Sequence, residues 1–116
     1  MDGYILAVDD DESMRALLRL HLEATGRAVR VVSSAAAAEE LALLSTPALI
    51  VSDTRLNLPG HIPVIFTGAG HAGGAAEHLA KPLRADALLA AVRRQLCDPG
   101  VMIASNPSWA RAGYNK

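Results

Sequence analysis

Ala48-Leu49-Ile50-Val51-Ser52-Asp53 decides how this chain is read. An unbroken Leu/Ile/Val run is the mark of a strand buried on both faces, as in a parallel sheet covered by helices. Such a strand delivers whatever follows it to the carboxyl edge of the sheet, where open α/β folds keep their sites. Asp53 is therefore expected on that edge.

Upstream, residues 4–8 form a similar apolar run that stops at Asp9, Asp10 and Asp11. Residues 12–24 then place Met14, Leu17, Leu18 and Leu22 at helical spacing, with Arg15, Arg19 and Glu23 on the other side. Gly26 ends that helix. Val29, Val31 and Val32 read as a second strand, and Ser33 or Ser34 caps an Ala-rich helix that Pro47 stops. The order β-α-β-α-β predicts a doubly wound sheet. Downstream, residues 62–67 predict a further buried strand ending in a hydroxyl, and 78–82 a short last strand. Residues 84–97 form an amphipathic helix with Leu88, Ala91, Val92 and Leu96 inward. The expected division is one domain over 1–97 and a tail over 98–116 whose structure the pattern does not assign.

With 116 residues, 51% of them hydrophobic, the chain has ample apolar content for one core. A formal net charge of -1 argues against holding nucleic acid or an acidic membrane by bulk charge. The single Cys97 excludes an internal disulfide and fits a reducing compartment. The first residues carry no basic and long apolar leader, and no run approaches a membrane span, so a cytoplasmic protein is expected. His61, His71 and His78 match no standard metal-ligand spacing.

The strand ends thus carry Asp9 and Asp10, Asp53, Thr67 and Lys81, all on one edge of a parallel sheet. Three carboxylates that close repel one another unless a cation sits among them. A hard divalent ion such as Mg²⁺ takes one or two carboxylates, waters and phosphate oxygens. A lysine and a hydroxyl beside it suit the equatorial oxygens of a phosphoryl group. The implied chemistry is phosphoryl transfer to a carboxylate.

Four segments in this order resemble the receiver domain of two-component response regulators: Val8-Asp9-Asp10-Asp11-Glu12-Ser13-Met14-Arg15, Val51-Ser52-Asp53, Pro63-Val64-Ile65-Phe66-Thr67-Gly68 and Lys81-Pro82-Leu83. The resemblance implies a flavodoxin-like α/β fold, a five-stranded parallel sheet in the order 2-1-3-4-5. It implies that Asp53 accepts a phosphoryl group from a histidine kinase or histidine phosphotransfer protein. Asp9, Asp10 and Asp53 would bind Mg²⁺, with the backbone carbonyl of Arg55 as a further ligand. Thr67 and Lys81 would contact the phosphoryl group, and the Lys81-Pro82 bond would be cis. His78 stands where the family commonly has an aromatic whose rotation reports phosphorylation, which makes it a switch candidate.

The chain departs from that family in length. Eight residues join Asp53 to Ile62, whereas a parallel crossover normally takes a dozen or more and includes a helix. Eight extended residues span about 27 Å, enough for an extended return only. Residues 68–77 are Gly/Ala-rich and equally short of a full helix. Most of the family's third and fourth helices are therefore expected to be missing, which would leave Ile50 and Ile65 uncovered. An apolar face of that extent is rare on a soluble monomer. The expected cover is the 101–103 segment, a second subunit of a homodimer or other oligomer, or a swapped element.

Two readings of function follow. One is a stand-alone phosphorylatable receiver, not an enzyme beyond its own phosphorylation and dephosphorylation, that signals by protein contact rather than by binding nucleic acid. The other is a degenerate receiver serving as an interaction or dimerisation module. A phosphate sink in a relay lies between them, and a small phosphatase is disfavoured because no separate general acid is evident.

Overall fold

A computed structural model describes residues 3–69 and 74–96. His71, Cys97, the turn at 98–100 and the 101–116 segment lie outside the described residues. Five strands form one sheet: β1 (Ile5–Val8), β2 (Val29–Val32), β3 (Leu49–Ser52), β4 (Val64–Phe66) and β5 (Glu77–His78). Every pairing is parallel and the order is β2-β1-β3-β4-β5. All residues of β1 and β3 are buried, which is why both read as unbroken apolar runs. β2 lies at an edge and exposes Arg30 between half-buried valines.

Helix α1 (Glu12–Glu23) starts at Asp11, whose carboxylate accepts the Ser13 N–H at 3.2 Å. Gly26, at φ 85°, takes the left-handed conformation that turns the chain back toward β2. Helix α2 (Ala35–Leu44) is capped by Ser34, which accepts the Ala37 N–H at 3.2 Å. Helix α3 is Ala85–Leu96. On one face, α1 and α3 bury Leu18, Leu22, Leu88, Ala91 and Val92 against Ile5, Ala7, Leu49, Val51 and Ile65. On the other, α2 sets Ala38 and Ala42 against Leu6, Val8 and Ile50. Among the described residues no helix is long and apolar enough to cross a membrane.

The connection from β3 to β4 contains no helix, as its length predicts. The expectation that Ile50 and Ile65 would be uncovered is corrected: both are 0% exposed. Ile65 points to the α1–α3 face. Ile50 is covered by the extended return itself, with Leu56, Leu58 and Ile62 packed in the α2 cluster. An extended chain sends alternate side chains to opposite sides, so Leu56 and Leu58 face the sheet while Asn57 and Pro59 are exposed. Over β3, neither a second subunit nor a swapped element is needed. An open groove of about 310 Å³ remains beside β4, lined by Leu58, Ile62, Val64 and Phe66 among others.

Two boundaries also differ from expectation. The β4 pairing spans only 64–66, leaving Ile62 in the return, and β5 is only Glu77–His78, so Lys81 follows in a loop rather than in the strand. β5 is short because its anchorage comes from α3. The Glu77 carboxylate accepts Arg94 Nε and Nη2 at 3.0 and 2.7 Å and Gln95 Nε2 at 2.7 Å.

Replacing Ile62 by Ala is expected to lower stability to urea by about 2–4 kcal/mol, as for other buried truncations. Leu44→Ala, at a site 80% exposed, should stay within about 0.5 kcal/mol of the parent. Hydrogen bonding from Arg94 holds the Glu77 carboxyl below its ordinary range. A depressed acid contributes stability above its unfolded pKa and loses it as pH falls through its folded value. Glu77→Gln should therefore unfold at lower urea than the parent at neutral pH, and the two urea midpoints should converge below about pH 4.

Candidate functional site

Asp9, Asp53 and Thr67 are each placed by a main-chain bond that continues the sheet ladder by one residue. Asp9 N–H donates to Val32 O at 3.2 Å, Asp53 N–H to Val8 O at 3.2 Å, and Thr67 N–H to Ser52 O at 2.8 Å. The first residues beyond β1, β3 and β4 are thereby fixed side by side. Asp9 and Thr67 are 0% and 2% exposed.

Carboxylate oxygens of Asp9, Asp10 and Asp53 lie within 4.8 Å of one another. Asp9 Oδ1 accepts the Asp11 N–H at 2.9 Å and Oδ2 accepts Lys81 Nζ at 3.0 Å. The same Nζ is 3.8 Å from Asp53 Oδ2. Arg15 Nη1 donates to the Asp9 carbonyl at 3.0 Å, tying α1 to this corner. Burial pushes the Asp53 carboxyl above its ordinary pKa, and the Asp9 and Asp10 charges add to the rise while Lys81 opposes it. Burial acts to lower Lys81, but its hydrogen bond to Asp9 and the charges of Asp9, Asp53 and Asp10 outweigh this and raise it. Three crowded carboxylates against one lysine leave negative charge uncompensated. An all-oxygen donor set of this kind fits a hard divalent cation.

Thr67 adds a different deficit. Its Oγ1 is buried without a hydrogen-bond partner among the described residues. Leaving such a hydroxyl unpaired costs roughly 1–3 kcal/mol. A cavity of about 490 Å³ connects Thr67, Asp53 and Lys81, with Gly68, His78 and Ala80 also in its wall.

Of the residues expected at the site, Asp9, Asp10, Asp53 and Lys81 form one cluster, and Thr67 and His78 share the Asp53 cavity. Arg55 begins the extended return two residues beyond Asp53. His78 Nε2 is 3.0 Å from Gly68 O, and its ring centroid is 5.4 Å from that of Phe66. The Lys81-Pro82 bond is cis. Gly68, which closes one of the segments that carry the resemblance, is packed so tightly that a Cβ would collide with the Asp53 carbonyl and lie 2.7 Å from Phe66 Cζ. No local signal announces this, because it depends on how closely β3 and β4 approach. The Arg15 bond is equally hidden, since a helical arginine normally reads as solvated.

No known family profile matches the chain. In sequence it is 33% identical to the C4-dicarboxylate transport transcriptional regulatory protein DctD of Pseudomonas aeruginosa, over 79% of this chain and 25% of that protein. The aligned stretch is 116 positions long, so the relative has residues where this chain has none. In structure it matches the chemotaxis response regulator CheY4 of Vibrio cholerae at a TM-score of 0.69 and 21% identity, over 83% of this chain and 100% of that one. A response regulator receiver domain protein of Clostridium thermocellum gives 0.69 and 21%, over 87% and 99%. NtrX of Brucella abortus gives 0.67 and 23%, over 95% of this chain and 31% of that one. The chain thus spans a quarter of the curated relative and about a third of NtrX. With its strand order and its acidic edge, it has the fold of the response-regulator receiver domain, in a form shortened between the third and fifth strands.

Proposed function

We propose that this chain is a phosphorylatable receiver in two-component signalling. Asp53 accepts a phosphoryl group from a histidine kinase or phosphotransfer protein, and the chain passes the signal on by protein contact in the cytoplasm. The observation that carries the reading is the buried, unpartnered Thr67 hydroxyl in the same cavity as Asp53 and Lys81. A carboxylate nucleophile, an ammonium and an idle hydroxyl around one opening match what an incoming phosphoryl group needs: a line of attack and partners for its oxygens.

In this reading an Asp53 carboxylate oxygen attacks phosphorus while the bond from phosphorus to the donor imidazole nitrogen breaks. The electron pair leaves with that nitrogen. Lys81 Nζ, already oriented by Asp9, turns part of its charge to the transferring group, and Thr67 Oγ1 donates to one of its oxygens. Asp9, Asp10, Asp53 and the Arg55 backbone carbonyl would hold Mg²⁺, which would supply the remaining charge neutralisation. His78 serves as the switch candidate: its contact with the Gly68 carbonyl ties β5 to the segment packed on Asp53.

Incubation with acetyl phosphate or phosphoramidate and Mg²⁺ should add the mass of one phosphoryl group to the intact protein and none to Asp53→Asn. Thr67→Val should slow the addition by roughly a hundred- to a thousandfold, in the range of a lost oxyanion donor. It should not lower the stability of the unphosphorylated protein, because no internal hydrogen bond is lost. Absence of an adduct on the folded parent would sink the proposal in favour of an interaction module.

A second expectation concerns the metal-free state. An acid whose folded pKa is raised weakens the fold at pH values where it is ionised. In EDTA at neutral pH, Asp53→Asn should therefore unfold at higher urea than the parent, and Mg²⁺ should narrow the gap by stabilising the parent more.

A further inference from the structure

The buried polar residues among those described are Asp9, Ser52 and Thr67. Asp9 and Thr67 belong to the site already described. Ser52 does not touch it directly. It ends β3, its neighbour in sequence is Asp53, and it is 0% exposed. Its hydroxyl donates to the Thr54 carbonyl at 2.6 Å and accepts the Thr54 N–H at 3.1 Å. One buried hydroxyl thus holds both peptide groups of the residue immediately after Asp53.

Beyond Asp53 the segment runs extended to Ile62 and has no helical ladder of its own. Further along, Asn57 N–H donates to Glu39 Oε2 at 2.6 Å, and Ile62 N–H to Pro59 O at 3.3 Å. Where a crossover helix follows a strand, its first turn fixes the direction of exit. Here the double bond to Ser52 performs that task locally. Arg55 is the next residue, so the peptide plane from which it departs is set by Ser52.

We propose that Ser52 is a positioning residue for the cation site: by immobilising Thr54 it directs the exit from Asp53 so that the Arg55 backbone carbonyl joins Asp9, Asp10 and Asp53 around one divalent ion. The inference rests on the Mg²⁺-dependent reading of those residues. It adds that affinity for the ion depends on a hydroxyl that never contacts it. Outer-shell partners of this kind typically govern metal affinity by 10–100-fold. The alternative role of Ser52, a helper of stability alone, makes a different forecast.

The test is a titration of the full chain with MgCl₂, followed by backbone amide shifts in NMR, beside urea unfolding of the same samples. Ser52→Ala removes both bonds, Ser52→Thr keeps the hydroxyl, and Leu88→Ala weakens the core from the opposite face. Ser52→Ala is expected to bind Mg²⁺ about tenfold more weakly. Leu88→Ala should keep the parental affinity despite lower stability, and Ser52→Thr should retain most of it. At saturating Mg²⁺, Ser52→Ala should recover most of its phosphorylation rate, since Asp53, Thr67 and Lys81 are untouched. A Ser52→Ala affinity within twofold of the parent overturns the positioning role while leaving the cation site standing. An equal loss in Leu88→Ala overturns it too, by tracing the effect to stability. No Mg²⁺-induced shift in the parent overturns this inference together with the reading beneath it.

Discussion

The constraint on which the rest depends is the parallel register at the carboxyl edge. Three main-chain bonds, Asp9 to Val32, Asp53 to Val8 and Thr67 to Ser52, extend the ladder one step past the apolar strands. They leave each functional side chain no choice of neighbour. Beneath them β1 and β3 are buried on both faces, so a slip of one residue would turn a core side chain into a site side chain. Core packing therefore positions the site, and the acids are held together despite their mutual repulsion. Burial first, and then the Asp9 and Asp10 charges, raise the pKa of Asp53, while the Lys81 ammonium donates to Asp9.

Much of this was legible in the chain because a parallel sheet converts distant positions into neighbours by a simple rule: strand ends meet. Asp9, Asp53 and Thr67 each follow an apolar run, and Lys81 follows the last short one, so four residues spread over 73 positions could be placed together. What was not legible depended on local geometry. Leu56 and Leu58 carry the period-two signature of a segment lying on an apolar surface, but Pro59-Gly60 marks the same stretch as a turn, and the turn signal masks the cover it provides for Ile50. Ser52 reads as a polar interruption in a buried strand. Its partner is the residue two positions on, and only the curvature of the exit shows that. Gly68 falls in a segment that carries the resemblance, but its need for no side chain arises from its approach to the Asp53 carbonyl and Phe66.

Cover by the return also changes how the missing helices are understood. A helix crossing a sheet brings its own hydrogen bonds and can be long; an extended strap brings side chains and must borrow anchorage. This strap borrows from both ends: Ser52 at its start, Glu39 of α2 in its middle, and Ile62 in the core at its close. The apolar requirement of the α2 face is met with fewer residues, at the expense of a groove beside β4 that a helix would have filled.

The distribution of losses separates chemistry from readout. The carboxylates, the ammonium and the hydroxyl of the acidic edge follow β1, β3 and β4 or lie on the loop after β5, and those three strands pack against α1 and α3. Nothing in the shortened connections supplies a carboxylate, the ammonium or the hydroxyl. Two narrow links lead away from the acidic edge: the Ser52 clamp on Thr54, leading into the strap, and the His78 contact with Gly68, leading into β5 and through Glu77 to α3. The edge strand and the helix that anchors it are thereby joined to the wall of the Asp53 cavity.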